Sequence, residues 1–439
     1  MYKIGLAFTV LFGVLMLNSV KAQSNKSKVV TLEDLFNLAD ANNRLLKIYS
    51  YKEKLANENL AKEKLNLFPD VSALATLSFN GDAIVTDRDF SNIKSFDVPK
   101  FGNGFSLEAK QALYMGGAIK KSIENAELEE IIAQLDTKTQ QQEIRFLIAS
   151  YYLDLIKLDN QQKIIEKNIL QTNKIIDQIK AKSNEGVVLK NNITRYELQL
   201  KSLDVSLIKL KNSKKIINNE LVKTLQLPQD TELIIDKSLN QEMQVLENAS
   251  AWKNIAQHNN ASLKQADLRI KQAENNESLA KSGRLPQVFA MATNVMNGPI
   301  TFELPVINQN YNYWFVGIGM QYNISNLYKN KRKENISKIA SSMESENKSI
   351  AMDEINQAID AKYIRYNETI DVYNTQLKSV ELANQNYLVI KNRYVNDLVL
   401  ITEMLDAENS LLDAELNAEN AKINILYHYY LLKKISGTI

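Results

Sequence analysis

Glu403 and Asp406 stand three residues apart in a helical pattern, so their carboxylates project from adjacent positions on one helix face. Such a pair attracts cations, and copies of it brought together would raise one another's pKa. The alternative is a solvated helix face with no special duty. Tyr394 precedes the pair, with a turn at Asn396-Asp397 between them. No other stretch has the spacing of a reactive centre. The only histidines, His258 and His428, are far apart in sequence and lack metal-ligand spacing, which leaves them as surface or packing residues. With no cysteine, a disulfide, a thiolate metal site and a lipidated cysteine are all excluded. No phosphate-binding glycine loop, nucleophile elbow or zincin motif occurs. A secreted enzyme therefore lacks a candidate site, and the residues imply no catalysis, no cofactor and no resident metal.

The elements that must position these residues come in two copies. Leu67-Phe68-Pro69-Asp70-Val71 is echoed by Arg284-Leu285-Pro286-Gln287-Val288, each at the end of a helical pattern and the start of an alternating one. Phe105 to Gln111 is answered by Val316 to Tyr322, each leading into a very long helix. The order helix, strand, strand, long helix thus occurs twice. Six prolines and 13 glycines punctuate 439 residues, and almost all of those outside the N-terminal segment flank strands. Proline breaks helices, so the stretches without it run long. Ile144, Ile148, Tyr151, Leu155, Leu158, Ile165, Ile169, Ile176 and Ile179 keep a heptad spacing in the first long helix. Ile355, Ile359, Tyr366, Ile370, Tyr373, Leu377, Val380, Tyr387 and Tyr394 do so in the second. Gly186 marks one chain reversal and Asn396-Asp397 the other, each followed by a return helix.

This pattern divides the chain into a signal peptide (1–22), a first repeat (23–225), an equatorial connector (226–250) and a second repeat (251–439). The first repeat contains a helix, strands near 70–80 and 104–114, a long helix over 118–182 and a return helix over 190–225. The second contains a helix, strands near 287–297 and 312–324, a long helix over 328–394 and a return helix over 401–435. The signal reading rests on Lys3, the apolar run Ile4 to Leu17 and the small-x-small site Val20-Lys21-Ala22. That run is too short for a spanning helix, which needs about 20 residues. The formal charge is +2, including Lys3 and Lys21, and no basic block stands out, which argues against nucleic acid.

Val71, Ala73, Ala75, Leu77 and Phe79 are apolar at every second position. Phe105, Leu107 and Ala109 alternate with Ser106, Glu108 and Lys110, and Trp314, Val316, Ile318, Met320 and Tyr322 repeat the pattern. Segments of about 10 residues with this period fit transmembrane strands, with Trp314 and Tyr322 near the lipid boundaries. A half-buried soluble sheet has the same pattern. Four strands cannot close a barrel, and an open edge cannot exist in lipid. Either the sheet is soluble, or several copies of the chain close it together.

Heptad hairpins, duplicated strand pairs and a secretory signal together resemble the TolC family of outer-membrane efflux proteins, over essentially the whole mature chain. The stretch Arg393 to Glu408 is similar to the family's aromatic, turn, then acidic-x-leucine-acidic-alanine pattern. Asn42-Asn43 and Asn259-Asn260 resemble its asparagine-rich start to the first helix of each copy, and Gly116-Gly117 its strand-to-helix transition. The resemblance implies a mixed α and β fold: a long helical coiled-coil barrel plus four strands per chain in a 12-stranded trimeric transmembrane β-barrel. It implies a homotrimer in the outer membrane of a Gram-negative bacterium, with a periplasmic extension, embedded in outer-membrane lipid. The implied function is a passive exit duct for tripartite efflux or type I secretion, gated at its periplasmic end. An inner-membrane pump would drive it through a periplasmic adaptor (membrane fusion) protein.

The family closes its channel with an aromatic residue and charged partners near the tip. Tyr394 matches the aromatic, Glu403 and Asp406 match the acidic ring, and Asn192 stands where an aspartate partner would be. Val399 stands in place of an arginine, so the implied network is less ionic. The tips Gly186, Val187, Val188 and Leu189, and Asp397, Leu398, Val399 and Leu400, are unusually apolar for exposed loops and are expected to dock the adaptor. The competing reading is a soluble periplasmic coiled-coil scaffold or adaptor, against which the long inter-strand loops 80–104 and 297–311 argue.

Overall fold

The computed structural model describes residues 28–236, 248–303 and 305–439. The expected signal peptide and part of the connector lie outside them. The elements are β1 Lys28–Val30, α1 Leu32–Asn42, α2 Arg44–Leu65, β2 Asp70–Phe79, β3 Ala83–Val85, β4 Lys94–Phe96 and β5 Phe101–Tyr114. They continue with α3 Ala118–Asn184, α4 Lys190–Thr224, β6 Leu233–Ile235, α5 Ala249–Asn259 and α6 Ala261–Ser282. The last are β7 Gln287–Gly298, β8 Tyr311–Gln321, α7 Asn326–Val395 and α8 Ile401–Ser436. The strand and helix limits differ from the sequence expectation by at most three residues, as at β5, which starts at Phe101 rather than near 104, and at β8, which ends at Gln321 rather than near 324.

The helix expected first in each repeat is two helices, and one residue type explains both breaks. Asn43 leaves helical geometry, and its Oδ1 accepts from the Leu45 and Leu46 N–H groups at 2.9 and 3.3 Å. Its Nδ2 donates to the Thr224 carbonyl at 2.9 Å, in the last turn of α4. Asn260 repeats this with Ser262 and Leu263 at 2.9 and 3.3 Å, and donates to the Ile435 carbonyl of α8 at 2.9 Å. A side-chain oxygen satisfies the orphan donors that begin a helix, so the chain restarts without leaving buried N–H groups unpaired.

The helices α3 and α7 contain 67 and 70 residues, about 100 Å each at 1.5 Å per residue. No single globule covers that length, so the helices pack side by side. One end of α3 lies against α2 and α6, the other against α4 and α8, while α7 lies on α6 and α8. The principal core sits at mid-length, where Leu35, Ile148, Tyr152, Ile156, Leu221 and Leu225 are buried together. Here β1 pairs in parallel with β6, so the apolar run of the connector forms a strand. Tyr152 donates to the Asp236 carbonyl beside it. Leu377, expected on the seam, is 46% exposed, because α7 forms a flank of the bundle.

β2, β5, β7 and β8 form one antiparallel sheet in that order. Its register places Val71, Ala109, Ala292 and Val316 in one row, and Ala73, Leu107, Asn294 and Trp314 in the next. These share a face with Leu77, Phe101 and Ile318, which are 91%, 81% and 75% exposed. The opposite face holds Ser72, Glu108, Thr293 and Phe315, then Thr76, Gly104, Asn297 and Tyr311. β2 and β8 are the sheet's two edges. The tightest join between sheet and helices is at Gly116, whose φ is +64° and where a Cβ would sit 2.9 Å from the Ser282 carbonyl. A left-handed residue against backbone requires glycine.

Asn260→Ala removes a cap and an interhelix bond together. Each is worth about 1 kcal/mol, so a thermal midpoint several degrees lower is expected.

Candidate functional site

The candidate site is the end of the molecule where both helical hairpins turn. The two turns share one geometry. Val187 N–H bonds the Lys182 carbonyl at 3.0 Å, and Leu398 N–H bonds that of Arg393 at 2.9 Å. Each is the six-residue closure that ends a helix through a left-handed residue. That residue is Gly186 with φ +79° in one tip and Asp397 with φ +60° in the other. Aspartate tolerates this region better than most side chains. Asp397, rather than the Asn396-Asp397 pair, is thus the counterpart of Gly186.

Below the turns the hairpins share an apolar cluster. Ile175, Ile176 and Ile179 come from α3, Tyr196 from α4, Tyr387 from α7, and Ile401 and Met404 from α8. Val188, Ile193 and Tyr394 pack against it half-buried. Above it, Lys182 Nζ meets Asp397 Oδ1 at 2.7 Å and ties one tip to the other. An exposed pair of this kind contributes at most about 1 kcal/mol, so the cluster carries the union of the tips.

The residues singled out from sequence separate into two groups. Val187, Leu189, Leu398 and Leu400 are exposed by 60% to 76%, whereas Val188 and Val399 are half-buried. Gly186 and Asp397 are exposed, and Asn192 is half-buried in the first turn of α4. Glu403 and Asp406 are both exposed, whereas their neighbours Met404 and Ala407 are buried. Glu403 also accepts from the Leu400 N–H at 3.4 Å, and its charge at the start of α8 suits the helix dipole.

Glu408 escaped the sequence reading. It follows Ile401 and Met404 along the seam, so its carboxyl turns into the cluster instead of into solvent. Burial pushes its pKa up to about 7, partly countered by the Tyr196 phenol and by Lys391. The carboxyl and phenol are neighbours that fall short of full hydrogen-bond geometry. Burial and Glu408 likewise raise the Tyr196 and Tyr387 phenols, and burial with Asp397 and Glu408 raises that of Tyr394. The signal for Glu408 was a charge at a seam position.

Residues 252–438 match the family model described as outer membrane efflux protein. That match lies in the second repeat, and the fold of the whole chain is TolC-like. It superposes on the outer-membrane channel OprN with a TM-score of 0.77 and 14% identity, over 93% of this chain and 90% of that one. VceC of Vibrio cholerae gives 0.74 and 15%, over 92% and 96%. The MtrE channel of Neisseria gonorrhoeae, solved in its open state, gives 0.73 and 16%, over 93% and 89%. No curated protein matches the sequence. Among the described residues of this TolC-like chain, no helix is long and apolar enough to cross a membrane. Nor does any group of His, Cys, Asp or Glu among them have the arrangement of a metal site.

The Glu408 environment predicts a pH dependence. Its packed-state pKa is about 7 against 4.5 when free, so the packed tip binds more protons across that window. Packing is therefore most stable below pH 4.5 and weakens as pH rises through about 7. Hydrogen exchange of the tip helices is expected to speed up more from pH 5 to pH 8 than in Glu408→Gln, compared at matched intrinsic rates.

Proposed function

We propose that three copies of the chain close their sheets into a 12-stranded barrel in the outer membrane and continue as a helical tunnel into the periplasm. The observation that carries this reading is the open four-stranded sheet with an apolar, exposed face and two unpaired edges. The strands alternate in direction from β2 to β8. A neighbouring β2 laid against β8 therefore continues the antiparallel order, and any number of copies preserves it. The family match supports three, and the polar face then lines the lumen.

The helical flanks support the same closure. Leu45, Ile48, Tyr51 and Leu55 form an exposed stripe on α2, and Ile336, Ile339, Met343 and Ile350 form one on α7. These lie on opposite edges of the chain, where neighbouring copies would meet and bury them.

The duct is a passive efflux channel, driven by an inner-membrane pump through a periplasmic adaptor. Its periplasmic end is gated by the tips. Tyr394 and Asn192 hold the hairpins together, while Glu403 and Asp406 of three chains form an acidic ring that favours cations. The exposed apolar tip residues Val187, Leu189, Leu398 and Leu400 dock the adaptor.

The first test is the mass of the mature chain extracted from membranes in mild detergent. A detergent-dependent trimer supports the duct; a monomer soluble without detergent overturns it in favour of a soluble scaffold. Serine at Val187, Leu189, Leu398 and Leu400 together is expected to abolish export while leaving trimer assembly unchanged. Unaltered export in that variant would remove the tips from the docking role.

A further inference from the structure

The overall charge balance hides one local concentration. Four of the five residues 329–333, namely Lys329, Lys331, Arg332 and Lys333, are basic. They begin at the fourth residue of α7, close after the sheet, and all four are exposed. The first turn of α7 holds no acid. The carboxylate that follows the run, Glu334, is occupied by Arg284 at 3.1 and 3.2 Å. Within the described residues, none of the four basic groups has an ion-pair partner.

This arrangement is unfavourable on its own. Cations near a helix N-terminus oppose the dipole, and like charges one turn apart repel. The first repeat provides an internal comparison, because Lys120 and Lys121 occupy the equivalent start of α3. Both pair there with the single carboxylate of Glu124, at 4.0 and 2.6 Å. In the second repeat the acid that follows the charges, Glu334, is held by Arg284 instead.

We infer that the basic run of α7 binds the anionic phosphate headgroups of phospholipids in the membrane leaflet beneath the sheet. This rests on the sheet being the membrane-spanning part. The run then lies about 5 to 10 Å along α7 from its start. A bilayer's polar layer is about 5 to 8 Å deep on each side, and flexible Lys and Arg stems extend further. Ile324, Leu327 and Tyr328, immediately before the run, are exposed by 69%, 43% and 68%. Apolar and aromatic side chains followed by cations match the chemistry of the lipid boundary, hydrocarbon first and phosphate next. The partner is a lipid surface of negative charge, and the three copies of the proposed assembly would ring the duct with such sites.

The test uses the detergent-solubilised full chain, titrated with phosphatidylglycerol or with phosphatidylethanolamine, and reads the retained lipid by native mass spectrometry. Preferential retention of phosphatidylglycerol is expected, weakening with added salt and by about fivefold for each charge removed. The variant carrying Lys329→Gln, Lys331→Gln, Arg332→Gln and Lys333→Gln should lose the preference, and Lys120→Gln with Lys121→Gln should keep it. Equal retention of both lipids by the unaltered chain overturns the inference. So does a preference unchanged in the fourfold variant. If the fourfold variant instead fails to assemble while the unaltered chain shows no lipid preference, the charges serve a neighbouring copy and the inference falls. A chain soluble without detergent defeats the duct reading itself, which is a separate outcome.

Discussion

An unpaired strand edge in hydrocarbon costs several kcal/mol for each N–H and C=O it strands, because no water is present to satisfy them. The four-stranded sheet of this chain has two such edges, on β2 and β8, and one of its faces is apolar and exposed. A single copy can resolve one problem only by worsening the other. Water satisfies the edges but leaves the apolar face uncovered, and lipid covers the face but leaves the edges unpaired. Joining edge to edge between copies removes both penalties. The proposed symmetry of the assembly follows from this conflict, with the even strand count allowing the antiparallel order to close.

The helical part obeys the same logic at greater length. A helix of about 100 Å buries itself only by lying along others, and here α3 occupies the middle while α2, α4 and α7 form the flanks. The asparagines Asn43 and Asn260 let two helices stand where one would run past the end of its partner. Each bonds a carbonyl in the last turn of the return helix, so sheet-end and tip-end helices are joined at mid-length by a pair of amides.

At the far end, rigidity gives way to a union that chemistry can alter. An exposed ion pair, an apolar cluster and the bond that Gln199 donates to Asn409 at 2.6 Å join the hairpins, and a carboxyl whose pKa burial raises to about 7 is set among three phenols. Burial is what raises that carboxyl, so any motion that admits water also lowers its pKa. Proton release and loosening of the tip are therefore linked. The acids identified from their spacing, Glu403 and Asp406, lie outside this cluster and remain available to neighbouring copies.

The sequence by itself determined the duplication, the long heptad helices, the alternating strands and the turns at Gly186 and Asn396-Asp397, because each depends on residues close along the chain. Backbone geometry and side-chain period are local properties. The asparagine pairs at Asn43 and Asn260 were legible only as a helix start, and the break they make was not, since the carbonyls that hold it lie 181 and 175 residues away. The depth of Glu408 and the isolation of Lys329, Lys331, Arg332 and Lys333 were likewise decided only by tertiary structure. Burial and charge pairing depend on what other elements bring alongside. A glutamate at a seam position is solvated or enclosed according to the helix opposite. A carboxylate is available to the lysines of its own helix only if no distant cation takes it, as Arg284, 50 residues away, takes Glu334.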